Sequence, residues 1–140
     1  MAAFFMSRFE EITLAILRAV AGLMLMQHGA QKILGLLGGE VAPTFSRGWF
    51  AGILELALGA MVALGLATRV AAFILSGEMA FAYFLVHAPN GFWPVVNRGE
   101  LAALYCFVFL YLSARGSGRY SLDAVLARRR GTPPERRAAS

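Results

Sequence analysis

Four apolar runs, at residues 12–37, 49–66, 70–87 and 99–113, take up most of this chain and constrain its fold more than any other feature. None alternates with the period of two expected of a half-buried strand. Each is apolar nearly all round, which favours helices in apolar surroundings over barrel strands. Of the 140 residues 59% are hydrophobic and 15% charged, against about 45–50% and about 25% in soluble domains. With a mean hydropathy of +0.63, the chain has too few polar side chains to cover a water-soluble globule. Disorder, a soluble enzyme and a disulfide-stapled secreted fold are all excluded on that ground, the last also because Cys106 is the one cysteine. A hydrocarbon layer of about 30 Å asks for about 20 helical residues, so the shorter runs must use flanking residues to reach the interfaces.

The links between runs are short. About ten residues around Gly38, Gly39 and Pro43 join the first two, and Ala67, Thr68 and Arg69 join the second to the third. A turn-rich segment with the aromatic pair Phe92–Trp93 leads to the fourth. Short links make neighbours antiparallel. The expected fold is therefore all-α: an integral membrane antiparallel four-helix bundle over residues 1–115, followed by a basic tail at 116–140. Gly22 and Gly29, and Gly52 and Gly59, each fall seven apart, placing small residues on one helix face where backbones can approach. Gly116 and Gly118 break the last run, and Ser121 is placed to cap a short amphipathic helix at 122–130 lying along the membrane surface.

Lys and Arg decide the orientation. With both termini cytoplasmic, that side holds Arg8, Arg69, Arg115, Arg119, Arg128, Arg129, Arg130, Arg136 and Arg137, nine in all. The other side holds Lys32, Arg47 and Arg98. The excess predicts a multi-pass protein of the cell inner (plasma) membrane with both ends inside. The basic tail reads as a cytoplasmic retention signal attracted to anionic lipid. Its arginines are not interleaved with aromatic residues, so nucleic acid is not expected as a partner. No cleavable signal peptide is expected, because Arg18 interrupts the first run and no small-residue cleavage pattern follows it.

Ionisable residues inside apolar runs are candidates for function, since a central charge costs at least about 2.5 kcal/mol. They are Arg18, His28, Lys32, Glu55 and Glu78, with Gln31 beside them. Helical rise places Glu78 near the midplane, Glu55 and His28 about 4–6 Å towards the outer side and Arg18 about 10 Å towards the inner. The expected pairs are His28 or Lys32 with Glu55, and Arg18 with Glu78. These groups also have structural readings: paired charges fix helix register, and Arg18 can extend its stem to the headgroups. Glu55 lies in a Gly52–Gly59 stretch that needs no carboxylate to pack, which makes it a candidate proton acceptor. Gln31 and Lys32 could donate hydrogen bonds to a ligand's carbonyl oxygens. His28 and His87 differ in depth by about 7 Å or more, which argues against a shared haem. No metal cluster, phosphate-cradling loop or nucleophile elbow is present in the sequence, and no catalytic set or intrinsic cofactor is assigned. Asn97 and Glu100 have the spacing of a capping box for the fourth helix.

The chain resembles the DoxX family of small membrane proteins. The resemblance runs from Arg18 to Asp123. It rests on Arg18-Ala-Val-Ala-Gly22, His28-Gly-Ala-Gln-Lys32, Glu55-Leu-Ala-Leu-Gly59, Gly65-Leu-Ala-Thr-Arg69, Asn97-x-Gly99-Glu100 with Tyr105, and Gly116-Ser-Gly-Arg-Tyr-Ser-Leu-Asp123. Arg98 stands where the family typically has glycine. The resemblance implies a four-helix inner-membrane protein, with some members described as subunits of thiosulfate:quinone oxidoreductase or of assemblies linked to oxidative and thiol stress. The expected role is thus a quinone-facing subunit working with other membrane or soluble redox proteins. A proton-coupled transporter acting as a homo-oligomer fits the same carboxylates, and a scaffold recruiting soluble partners fits the basic tail.

Overall fold

The computed structural model describes residues 2–130, with side-chain surroundings for 7–130; the expected tail arginines 136 and 137 lie outside them. The described chain is helical, with no strand among the described residues. Its elements are α1 (Ala2–Leu34), α2 (Arg47–Leu64), α3 (Thr68–Ala82), α4 (Pro94–Asn97), α5 (Glu100–Arg115) and α6 (Leu122–Arg129). A single π-helical stretch, Tyr83–His87, and a short 3₁₀ turn, Ala88–Asn90, extend α3 to the link before α4. Each long helix begins or ends within a few residues of its expected run, except α1, which starts ten residues earlier than the apolar pattern suggests.

Two helix pairs carry most of the packing, α1 along α2 and α3 along α5, and α2 touches α3. Buried positions recur at helical spacing: Leu14, Arg18, Ala21 and Leu25 on α1; Gly52, Glu55, Gly59 and Val62 on α2; Ala102, Tyr105, Phe109 and Leu112 on α5. Each helix therefore turns one stripe inward, although its sequence is apolar on every side. Arg18 and Glu55 lie on those stripes. The outward faces are apolar as well, with Ile16, Phe73, Leu104 and Phe107 all exposed. Soluble monomers rarely expose so much contiguous apolar surface. By length and hydropathy, Arg47–Leu64 and Thr68–Asn90 each suffice to cross a membrane. The 16-residue α5 is shorter than either.

Glycine makes the α1–α2 contact a backbone contact. A Cβ on Gly22 would lie 2.6 Å from both the Ala63 nitrogen and the Gly59 oxygen. Neither atom can move without moving α2. Gly22→Ala is therefore expected to destabilise the protein by about 1–3 kcal/mol, as overpacking does in cores. Gly77, with nothing within 4 Å of its would-be Cβ, is the control: Gly77→Ala should be neutral or stabilising by up to about 1 kcal/mol. Thermal unfolding in detergent reads both, and equal effects would contradict the close crossing.

Candidate functional site

The polar residues of the apolar runs separate into two groups. At one end of the molecule α1 and α2 bring Lys32 to Glu55. The ammonium lies 2.7 Å from both carboxylate oxygens, so the expected pairing of Lys32 with Glu55 is present. Glu55 is 3% exposed, whereas the Lys32 side chain is 35% exposed at the edge. His28, one turn before Lys32, lies within electrostatic range of Glu55. Glu78, from α3, lies within range of both Lys32 and Glu55. Its two carboxyl oxygens are buried and have no hydrogen-bond partner among the described residues. Gln31 turns aside: its amide donates to the Leu37 carbonyl at 3.2 Å and holds the link after α1.

Arg18 does not pair with Glu78. Its guanidinium donates to the carbonyls of Val62 and Ala63, each at 2.7 Å, and of Tyr120 at 2.7 Å. The cause is the C-terminus of α2, whose last carbonyls lack helical partners and attract a cation. Gly65 makes room for it. In the left-handed conformation (φ 74°), Gly65 ends α2, and a Cβ there would stand 2.6 Å from the guanidinium. Glu78 thus belongs with Lys32 and Glu55 rather than with Arg18.

The rest of that end is closed by similar means. Asp123, in the first turn of α6, accepts from the backbone N–H groups of Ala67 (2.8 Å) and Thr68 (3.2 Å), capping α3 across the fold. Its own N–H donates to the Gly65 carbonyl. Arg69 donates to the carbonyls of Ser113 and Ala114 at the end of α5. Glu11 accepts from the Arg115 guanidinium and the Arg119 N–H. Ser121 caps α6 by accepting from the Ala124 N–H at 3.1 Å. Asp123, Arg69 and Glu11 escape a reading of the sequence as site residues, because each acts on backbone or charge far away along the chain.

The capping box needs correction. Gly99, not Asn97, is the N-cap of α5, and Glu100 opens that helix as an exposed residue. Asn97 ends α4 instead. Its side-chain oxygen accepts from the Gly99 N–H at 2.8 Å and its amide donates to the Gly91 carbonyl at 2.8 Å. The bend at Arg98 displaces the box: Arg98 is left-handed (φ 60°), a conformation that suits glycine far better. His87 sits beside this turn, its Nδ1 3.1 Å from the Asn97 carbonyl.

The Lys32–Glu55 pair yields a stability prediction. Lys32→Met leaves Glu55 buried without its cation and should cost about 2–4 kcal/mol, the lower values reflecting Lys32's partial exposure. The double variant Lys32→Met/Glu55→Met should recover to within about 1 kcal/mol of wild type. Unfolding in detergent measures both, and an additive double mutant would show that the two groups are not coupled.

Comparison with known proteins identifies the family. The sequence model of the DoxX family matches residues 13–88, from α1 into the α3 extension. A Haemophilus influenzae protein described as uncharacterized is 41% identical over 125 residues, covering 84% of this chain and 93% of its own length. A Mycobacterium tuberculosis protein described as an uncharacterized membrane protein is 34% identical over 137 residues, covering 81% of this chain and 80% of its own. No solved structure matches. The chain is a member of the DoxX family.

Proposed function

We propose that this protein is a multi-pass inner-membrane subunit whose Lys32–Glu55–Glu78 cluster receives a quinone head group for a partner oxidoreductase. The four long helices would cross the bilayer as an antiparallel bundle. The arginine-rich end, with both termini, faces the cytoplasm and the cluster lies in the outer half. Support for the bilayer comes from the apolar outward faces and from the family. The excess of arginine at one end supports the orientation.

One observation carries the site: the buried carboxyl of Glu78, without a hydrogen-bond partner among the described residues, lies within range of a paired ammonium. An ammonium has three N–H donors, and Lys32 gives two of them to Glu55. The third can donate to a ligand carbonyl oxygen from the exposed edge. Glu78 offers a place to hold a proton next to that oxygen, and His28 adds a second polar group on the same helix. When bound, a quinone would supply two-electron, two-proton chemistry, with the electrons coming from the partner. The residues of this chain bind, orient and exchange protons.

The test is ligand retention. Protein purified from native membranes in mild detergent should carry quinone extractable by organic solvent, and a short-chain quinone analogue should raise its melting temperature. Glu78→Leu, which keeps the side chain's bulk and removes the group that can carry the proton, should retain the fold and lose about fivefold in analogue affinity, the scale of one hydrogen bond. Absence of both retention and stabilisation in wild type would overturn the reading, as would an unchanged affinity in Glu78→Leu.

A further inference from the structure

The arginine-rich end carries an open cleft of about 690 Å³ between the start of α1, the start of α3, the end of α5 and α6. Arg8, Arg69, Arg115 and Arg119 line it, against two carboxylates, Glu11 and Asp123. Both carboxylates are engaged: Asp123 by two backbone N–H groups of the α3 N-terminus, Glu11 by Arg115 and the Arg119 N–H. Arg69 donates to two backbone carbonyls and has no ion pair among the described residues. The exposed side chains of Arg8 and Arg119 have no ion pair among the described residues. The cleft wall also contains Thr68, 1% exposed, whose hydroxyl has no partner among the described residues. Cationic donors are thus in excess over anions that could satisfy them.

We propose that this cleft binds the phosphate of an anionic phospholipid headgroup. Guanidinium groups match phosphate oxygens in geometry and charge. Two features select a lipid over a soluble phosphate. The cleft lies where α3 begins and α5 ends, at the limit of the apolar helices. Its wall includes Val70, Ala124 and Ala127 beside the arginines. From there Val70 and Phe73, both largely exposed, continue an apolar path along α3 that an acyl chain can follow. The same arginines that bias orientation thereby form a defined site rather than a diffuse positive surface. The inference rests on the membrane reading of these helices but not on the quinone site at the other end.

Native mass spectrometry of the full chain in uncharged detergent tests it, with dioctanoyl phosphatidylglycerol titrated against dioctanoyl phosphatidylcholine and inorganic phosphate. Wild type should retain phosphatidylglycerol with one-to-one saturation and prefer it over phosphatidylcholine. Arg8→Gln/Arg119→Gln should weaken it about thirtyfold, the scale of two cations near an anionic lipid. Arg129→Gln/Arg130→Gln removes the same charge outside the cleft and should leave affinity unchanged. Equal loss in both double variants would reduce the effect to general charge and overturn the site. So would equal retention of the two lipids, or saturation by inorganic phosphate that displaces phosphatidylglycerol. Since quinone retention is read separately, failure here leaves the proposal for Glu78 standing.

Discussion

A helix in hydrocarbon satisfies its own backbone everywhere except at its ends, where the free N–H and C=O groups need partners from water or from the protein. The structure depends on how this chain meets that constraint. Arg18 covers carbonyls at the C-terminus of α2, Arg69 those of α5, and Asp123 the first amides of α3. Three helix termini and the α6 segment meet at one place, so charge-to-backbone bonds add to the packing of Leu14, Leu112 and Ala124 in holding that end of the molecule. Such bonds are stronger than neutral ones and act best where water is excluded.

The same arrangement draws in the chain past the last long helix. The stretch from Gly116 to Asp123 supplies the Tyr120 carbonyl to Arg18, the Ser121 cap to α6 and the Asp123 cap to α3. Its role as a structural latch bears on any tail-anchoring function. Removing residues from 122 onward would also remove the α3 cap, so recruitment of partners can be assigned only to residues beyond α6. At the opposite end the constraint is relaxed: Lys32 and Glu55 satisfy each other while Glu78 is left over.

Much of this was legible in the residues. Apolar runs and short links announced helices in the right places, the seven-residue glycine spacing announced a small-residue face for close approach, and depth arithmetic narrowed the partner of Glu55 to His28 or Lys32, of which the structure takes Lys32. Depth arithmetic failed for Arg18, because it compares side chains only with side chains, and the stronger partner was a set of backbone carbonyls made available by the end of α2. The capping box failed because Arg98 bends the chain into a left-handed turn that spacing alone does not reveal. Asp123 was hidden for a third reason: the amides it caps lie more than fifty residues earlier, and no local pattern joins them.

The central claim is that apolar helix faces lie in lipid while the arginine end and the Lys32 end face opposite sides. In a Cys106→Ala background, an impermeant maleimide applied to sealed membrane vesicles of either orientation tests it directly. Glu40→Cys and Asn90→Cys should label from one side, and Ser117→Cys and Arg129→Cys only from the other. Phe107→Cys, on a face 69% exposed outside the packed helices, should label from neither. Labelling of position 107 from water, or of positions 40 and 117 from the same side, would contradict the account.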